Sequence, residues 1–160
     1  MKWPPLFFVV LVLSSLPACS RLRSPAAAPP AASGDLAKSE LDRLQGSWRI
    51  ESSLWNGVSD SEVMNSVTIV IQGDNFIWVD RDGNRRLDTI RLMPEQNPRA
   101  IDYWSKGENQ GSVGIYSLEG DTFTWCSAGG NNKVRPTSFA SERGSKQSLM
   151  VLRRKKNSRI

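Results

Sequence analysis

The residues with the spacing to do chemistry begin at Asp80-Arg81-Asp82-Gly83-Asn84, where oxygen donors alternate as they do in calcium loops. The run lacks the glycine position and the downstream glutamate of an EF-hand. Arg81, Arg85 and Arg86 also set positive charge beside any cation, so a hairpin turn is the expected structure. Asp88 flanks the same turn, and Asp102 and Glu108 lie in or beside loop-like sequence. These carboxylates are expected to be solvated or turn-forming, not paired for acid-base catalysis. No histidine occurs in the 160 residues, which removes Ser-His-Asp and Cys-His catalysis and most zinc or haem ligation. Gly129-Gly130-Asn131-Asn132-Lys133 offers backbone amides to an anion, yet no helix start follows, and a barrel-mouth loop is the better reading. The chain is therefore expected to be non-enzymatic, with no catalytic residue, metal or cofactor.

Aromatic side chains are the remaining candidates. Of six tryptophans, Trp48, Trp55, Trp78, Trp104 and Trp125 fall after the N-terminal region. Such residues either fill a small core or line an apolar pocket, and at an open rim they stack on sugars or lipid tails. Trp78, Trp104 and Tyr116 are the ligand-binding candidates.

Two cysteines set the covalent possibilities. Lys2 precedes an apolar run from Leu6 to Leu13, too short to cross a bilayer as a mature helix, which reads as a secretory signal. It ends in Leu16-Pro17-Ala18-Cys19, which resembles the lipobox of bacterial lipoproteins, with Pro17 departing from the usual residue types. The resemblance implies removal of residues 1–18 and acylation of Cys19, and two or three acyl chains anchor stably where one does not. Ser20, in place of aspartate, favours the outer membrane by the same resemblance, with the domain facing the periplasm. With Cys19 acylated, Cys126 has no intramolecular partner and is expected to be a small buried hydrophobe.

Residues 19–35 are dominated by Ala, Pro, Ser and Arg and read as a tether. Asp35 or Ser39 can cap a short helix through Leu36, Leu41 and Leu44 that ends at Gly46 and covers one end of the domain. The chain carries 21 basic and 16 acidic residues, net +5. The excess is local: Arg153, Arg154, Lys155, Lys156 and Arg159 crowd the last eight residues. Residues 155–160 form a basic tail suited to an anionic envelope component. The export signal argues against nucleic acid as a partner.

Between these ends the helical period disappears, and short apolar or alternating runs recur between turn signals. Nine candidate strands result: Ser47 to Leu54, Ser66 to Gln72, Asn75 to Asp80, Arg85 to Leu92, Ala100 to Trp104, Ser112 to Leu118, Thr122 to Cys126, Thr137 to Ser141 and Ser148 to Arg153. Thr137 to Ser141 is the weakest. Tight connections at Asn56-Gly57, Gly73-Asp74, Asp82-Gly83 and Glu119-Gly120-Asp121 imply hairpins. A meander without helical crossovers closes most naturally into a small up-and-down antiparallel barrel of about eight strands over residues 36–154.

Gly46-Ser47-Trp48 near the start and Arg153 near the end look like the two ends of a lipocalin or calycin-type barrel, where a first-strand tryptophan lies under a last-strand arginine. Four blocks narrow the likeness: Leu44-Gln45-Gly46-Ser47-Trp48, Gly114 to Cys126, Arg135 to Ser141 and Leu149 to Arg154. They resemble a family of uncharacterised exported lipocalin-like domains abundant in planctomycete bacteria, over about residues 37 to 156. The resemblance implies barrel closure by Gly46, Trp48 and Arg153 and carries no catalytic or ligand residue. The span from Trp48 to Arg153 is short for true lipocalins and lacks their usual disulfide, which favours a small or filled interior. Two functions follow as expectations: a lipid-anchored extracytoplasmic binding module for a small apolar or amphipathic ligand, or an envelope structural or protein-interaction domain with a filled barrel.

Overall fold

A computed structural model of the chain describes residues 30–108, 111–129 and 132–156, with side chains from Gly34 onward. Cys19, the leader, the tether up to residue 29, Gly130, Asn131 and Arg159 lie outside the described residues. Helix α1 (Pro30–Leu44) is followed by β1 (Gly46–Trp55), the short β2 (Val58–Ser59), α2 (Ser61–Met64), β3 (Thr68–Gln72), β4 (Asn75–Val79), β5 (Arg85–Met93), β6 (Ala100–Ser105), β7 (Ser112–Glu119), β8 (Thr122–Ala128) and β9 (Gln147–Arg154). α1 starts inside the segment read as tether, since proline is tolerated in a first helical turn and Ala31 and Ala32 favour the helix.

All pairings are antiparallel, and from β3 to β9 sequential strands are neighbours. β1 closes the sheet, because Gly46–Arg49 pair with β3 while Trp48–Trp55 pair with β9. The product is a closed eight-stranded up-and-down barrel, with β2 a two-residue extension folded back on the end of β1. Asn56 and Gly57 both have positive φ, 51° and 76°, as a two-residue turn of the I′ type requires. A register shift between Ile50 and Ser52 marks a bulge in β1. The extra residue lets Trp48, Ile50 and Ser53 all point inward.

Inward side chains form layers along the barrel axis. At the α1 end, Leu44, Trp48, Phe123, Tyr116, Leu92 and Leu152 are buried together. Aromatic rings continue the filling: Phe76 meets Trp125 at 5.2 Å between centroids, and Tyr103 meets Trp125 edge-on at 4.7 Å. Gly114 makes room for this stack. A Cβ there would lie 2.9 Å from Trp125 Nε1 and 2.6 Å from the Cys126 carbonyl oxygen.

Thr137 to Ser141, expected as the weakest strand, is not one. Residues 132–141 strap the outer face of β6, β7 and β8 instead. The Arg135 guanidinium donates to the carbonyls of Ile101 and Gly114 and to Asp102 Oδ1, at 3.2, 2.5 and 2.7 Å. Pro136, which has no N–H for a ladder, is buried in the strap. The Cys126 thiol donates to the Ala140 carbonyl at 3.3 Å and is fully buried. Burial pushes that thiol up from its ordinary value.

Candidate functional site

The two barrel ends carry opposite solutions to the burial of a carboxylate. At the α1 end Glu40, 5% exposed, is fully engaged: Oε1 accepts from Arg43 and Oε2 from Arg99 at 2.9 Å, with the Tyr116 hydroxyl at 3.4 Å. Burial, with the Glu40 carboxylate beside it, pushes the Tyr116 hydroxyl well above its ordinary range. At the other end Asp88 has 0% exposure. Its Oδ2 accepts from Trp78 Nε1 at 2.8 Å and from Arg86 at 3.1 Å, whereas Oδ1 has no hydrogen-bond partner among the described residues.

Among the described residues, Ser53 Oγ and Trp125 Nε1, also inward-facing, are buried without a partner, as is Asp60 Oδ1 just before α2. Most buried polar atoms in folded proteins are satisfied, so a concentration of unsatisfied ones toward one end of a barrel marks a place built for something polar. A cleft of about 370 Å³ opens at the β3, β4 and β5 rim, lined by Met64, Val67, Trp78, Asp80, Asn84, Arg85 and Arg86, two of which, Trp78 and Arg86, hydrogen-bond Asp88. That volume falls in the range of small-molecule sites. Asp80 is occupied with its turn: Oδ1 accepts the backbone N–H of Asp82 and Asn84, and Oδ2 the Asn84 side chain. The Asn84 side chain in particular holds the Asp80 carboxyl below its ordinary value.

Two other clefts lie on the outside. One, of about 520 Å³, runs along β5 to β7 past Trp104, with Arg91 paired to Asp102 at 2.9 Å and Lys133 donating to the Gly111 carbonyl. The other, of about 540 Å³, is basic, lined by Arg49, Arg153, Arg154, Lys155 and Lys156 with Asp121, at the α1 end. Among the described residues no three Cys, Asp or Glu side chains cluster as metal ligands.

The sequence-predicted site residues do not converge. Trp78 stands at the mouth, half-buried over Asp88. Trp104 is on the outer face of β6, and Tyr116 lies 1% exposed beneath α1, so neither lines the mouth. Gly46 and Trp48 sit at the α1 end: Gly46 has φ 117° where helix turns into strand, and Trp48 is completely buried. Arg153 is corrected. The cation over the Trp48 ring is Arg154, 4.1 Å from its centroid, while Arg153 faces outward to Glu51 at 3.4 Å. Met150 and Leu152 point inward, so the two-residue period carries Arg154 to the inner side. Asp88 is corrected as well: expected to be solvated, it is inward on β5 in step with Ile90 and Leu92. That alternation is the signal that could have found it.

No family model, curated protein or solved structure matches this chain.

Proposed function

We propose that the protein is a non-enzymatic binding module that takes a small amphipathic ligand at the barrel mouth. Supporting this is the buried Asp88 carboxylate with one unpartnered oxygen, beneath a cleft whose other walls include Met64, Val67 and Trp78. The polar end of the ligand reaches toward Asp88, and its apolar part packs on Trp78, Met64 and Val67. Binding is shallow, because rings fill the barrel below. Lipid attachment at Cys19, an outer-membrane position facing the periplasm, and kinship with the exported planctomycete domains belong to the same proposal, supported by the leader and the four sequence blocks. So does a contact between the basic end and an anionic envelope component, supported by Arg49, Arg153, Lys155 and Lys156 around one cleft.

A titration with N-phenyl-1-naphthylamine tests the ligand reading. The mature chain is expected to give a saturable fluorescence rise, weakened about tenfold in Trp78→Ala, roughly the 1.4 kcal/mol expected when one aromatic wall is lost. Absence of a saturable rise in the unaltered chain would sink it.

The ring-filled interior favours a second reading, an envelope structural or interaction domain. Trp55 and Val58, paired across their turn and 45% and 54% exposed, would then be the contact surface. Loss of a co-purifying partner in Trp55→Ser, with no probe binding in the unaltered chain, would favour it.

A further inference from the structure

Arg86 behaves at the barrel mouth as a ligand would. Its guanidinium carbon lies 4.5 Å from the Trp78 ring centroid, and Nη2 lies 3.1 Å from Asp88 Oδ2. The arginine side chain is 61% exposed, whereas that of Asp88 is 1% exposed. One end of the pair is thus fixed in the barrel wall, and the other is a cation on a flexible stem that leads to water. The indole face attracts cations through its quadrupole, and the buried carboxylate requires a positive neighbour. Neither feature requires that the cation belong to this chain. Arg86 also leaves Asp88 Oδ1 without a donor.

We propose that the cleft takes primary or secondary alkylammonium compounds, whose head displaces Arg86 from Trp78 and Asp88 and donates an N–H to Asp88 Oδ1. This deepens the mouth reading and rests on it. Exchanging one cation for another keeps the buried carboxylate neutralised, and the released Arg86 is rehydrated at the rim. The alkyl part lies against Met64 and Val67, the apolar wall of the cleft. An anionic head finds less: Arg86 is already engaged by Asp88, and Asp80 stands in the same cleft as Arg85.

Calorimetric titration of the exported chain carrying Cys19→Ser, so that no acyl chain of its own competes, tests this with octylammonium, octanol and octanoate. Octylammonium is expected to bind at least tenfold more tightly than the other two. Arg86→Gln, in which Asp88 keeps the Trp78 N–H but loses its own cation, is expected to strengthen octylammonium binding severalfold by removing the competitor and leaving a buried carboxylate in need of a positive partner. Asp88→Asn is expected to abolish the preference. Octanol or octanoate binding as tightly as octylammonium, or Arg86→Gln leaving octylammonium binding unchanged or weaker, overturns the ammonium assignment and leaves the mouth reading standing. Binding of none of the three overturns both.

Discussion

Arg154 lies over Trp48, its guanidinium carbon 4.1 Å from the ring centroid, and its two terminal nitrogens donate to the carbonyls of Gln45 and Arg43 at 2.6 Å each. Trp48 Nε1 in turn donates to the Leu44 carbonyl at 2.9 Å. Two side chains of the first and last strands thus satisfy backbone oxygens at the end of α1, which has no further helical turn to receive them. Helix, first strand and last strand are joined at one point, without a disulfide.

Arg154→Ala is expected to destabilise the domain by about 2–3 kcal/mol in urea unfolding, through lost cation-π contact and lost hydrogen bonds. Arg153→Ala removes only a partly exposed pair with Glu51 and is expected to cost about 0.5 kcal/mol or less. Equal losses in the two variants would contradict the assignment.

Gly114→Ala places a methyl group 2.6 Å from a backbone oxygen and 2.9 Å from the Trp125 indole nitrogen. Backbone cannot give way there without disturbing the ladder to β8. Overpacking of this kind costs about 1–3 kcal/mol, and a thermal midpoint unchanged from the unaltered chain would show that the interior is looser than described.

The Tyr116 hydroxyl, pushed up by burial and by Glu40, gives an alkaline signature. Its folded value lies above its unfolded one, so its contribution is fully present below about pH 10 and is lost as pH rises through the folded value. Between pH 9 and pH 11 the unaltered chain is expected to lose about 1 kcal/mol more stability than Tyr116→Phe. Identical pH profiles would remove Tyr116 from the account.

Cys126 is fully buried under the strap, with its thiol raised by burial. In a Cys19→Ser chain at pH 8 it is expected to react with Ellman's reagent only as fast as the domain opens, and at once in urea. Rapid labelling of the folded chain would mean that residues 132–141 do not cover β8.

Strand positions were legible because alternation survives wherever one face is buried: Ile69 and Ile71 on β3, and Phe123 and Trp125 on β8, point inward as their spacing requires. Leu149 to Leu152 is apolar on both faces. Spacing there does not reveal parity, so it cannot tell which of the two adjacent arginines, Arg153 or Arg154, covers Trp48. Asp88 was hidden by its nearness to the Asp80 turn, although its period with Ile90 and Leu92 was available. The strap over Cys126 was not legible at all, since it depends on Arg135 finding carbonyls of β6 and β7 far away in the chain. Trp104 and Tyr116 are both aromatics in strands, and residue type does not distinguish a rim from an outer face or a plugged end.

The mouth reading is tested most directly by the indole N–H resonances of the tryptophans during titration with octylammonium and N-phenyl-1-naphthylamine. Trp78, which donates to Asp88, and Trp125, whose Nε1 has no partner, are expected to shift with at least one of the two probes. Trp48, sealed under Arg154, and Trp104, on the outer wall, are expected to stay in place. Shifts confined to Trp104 or Trp48, or none at saturating probe, would contradict a ligand site at the barrel mouth.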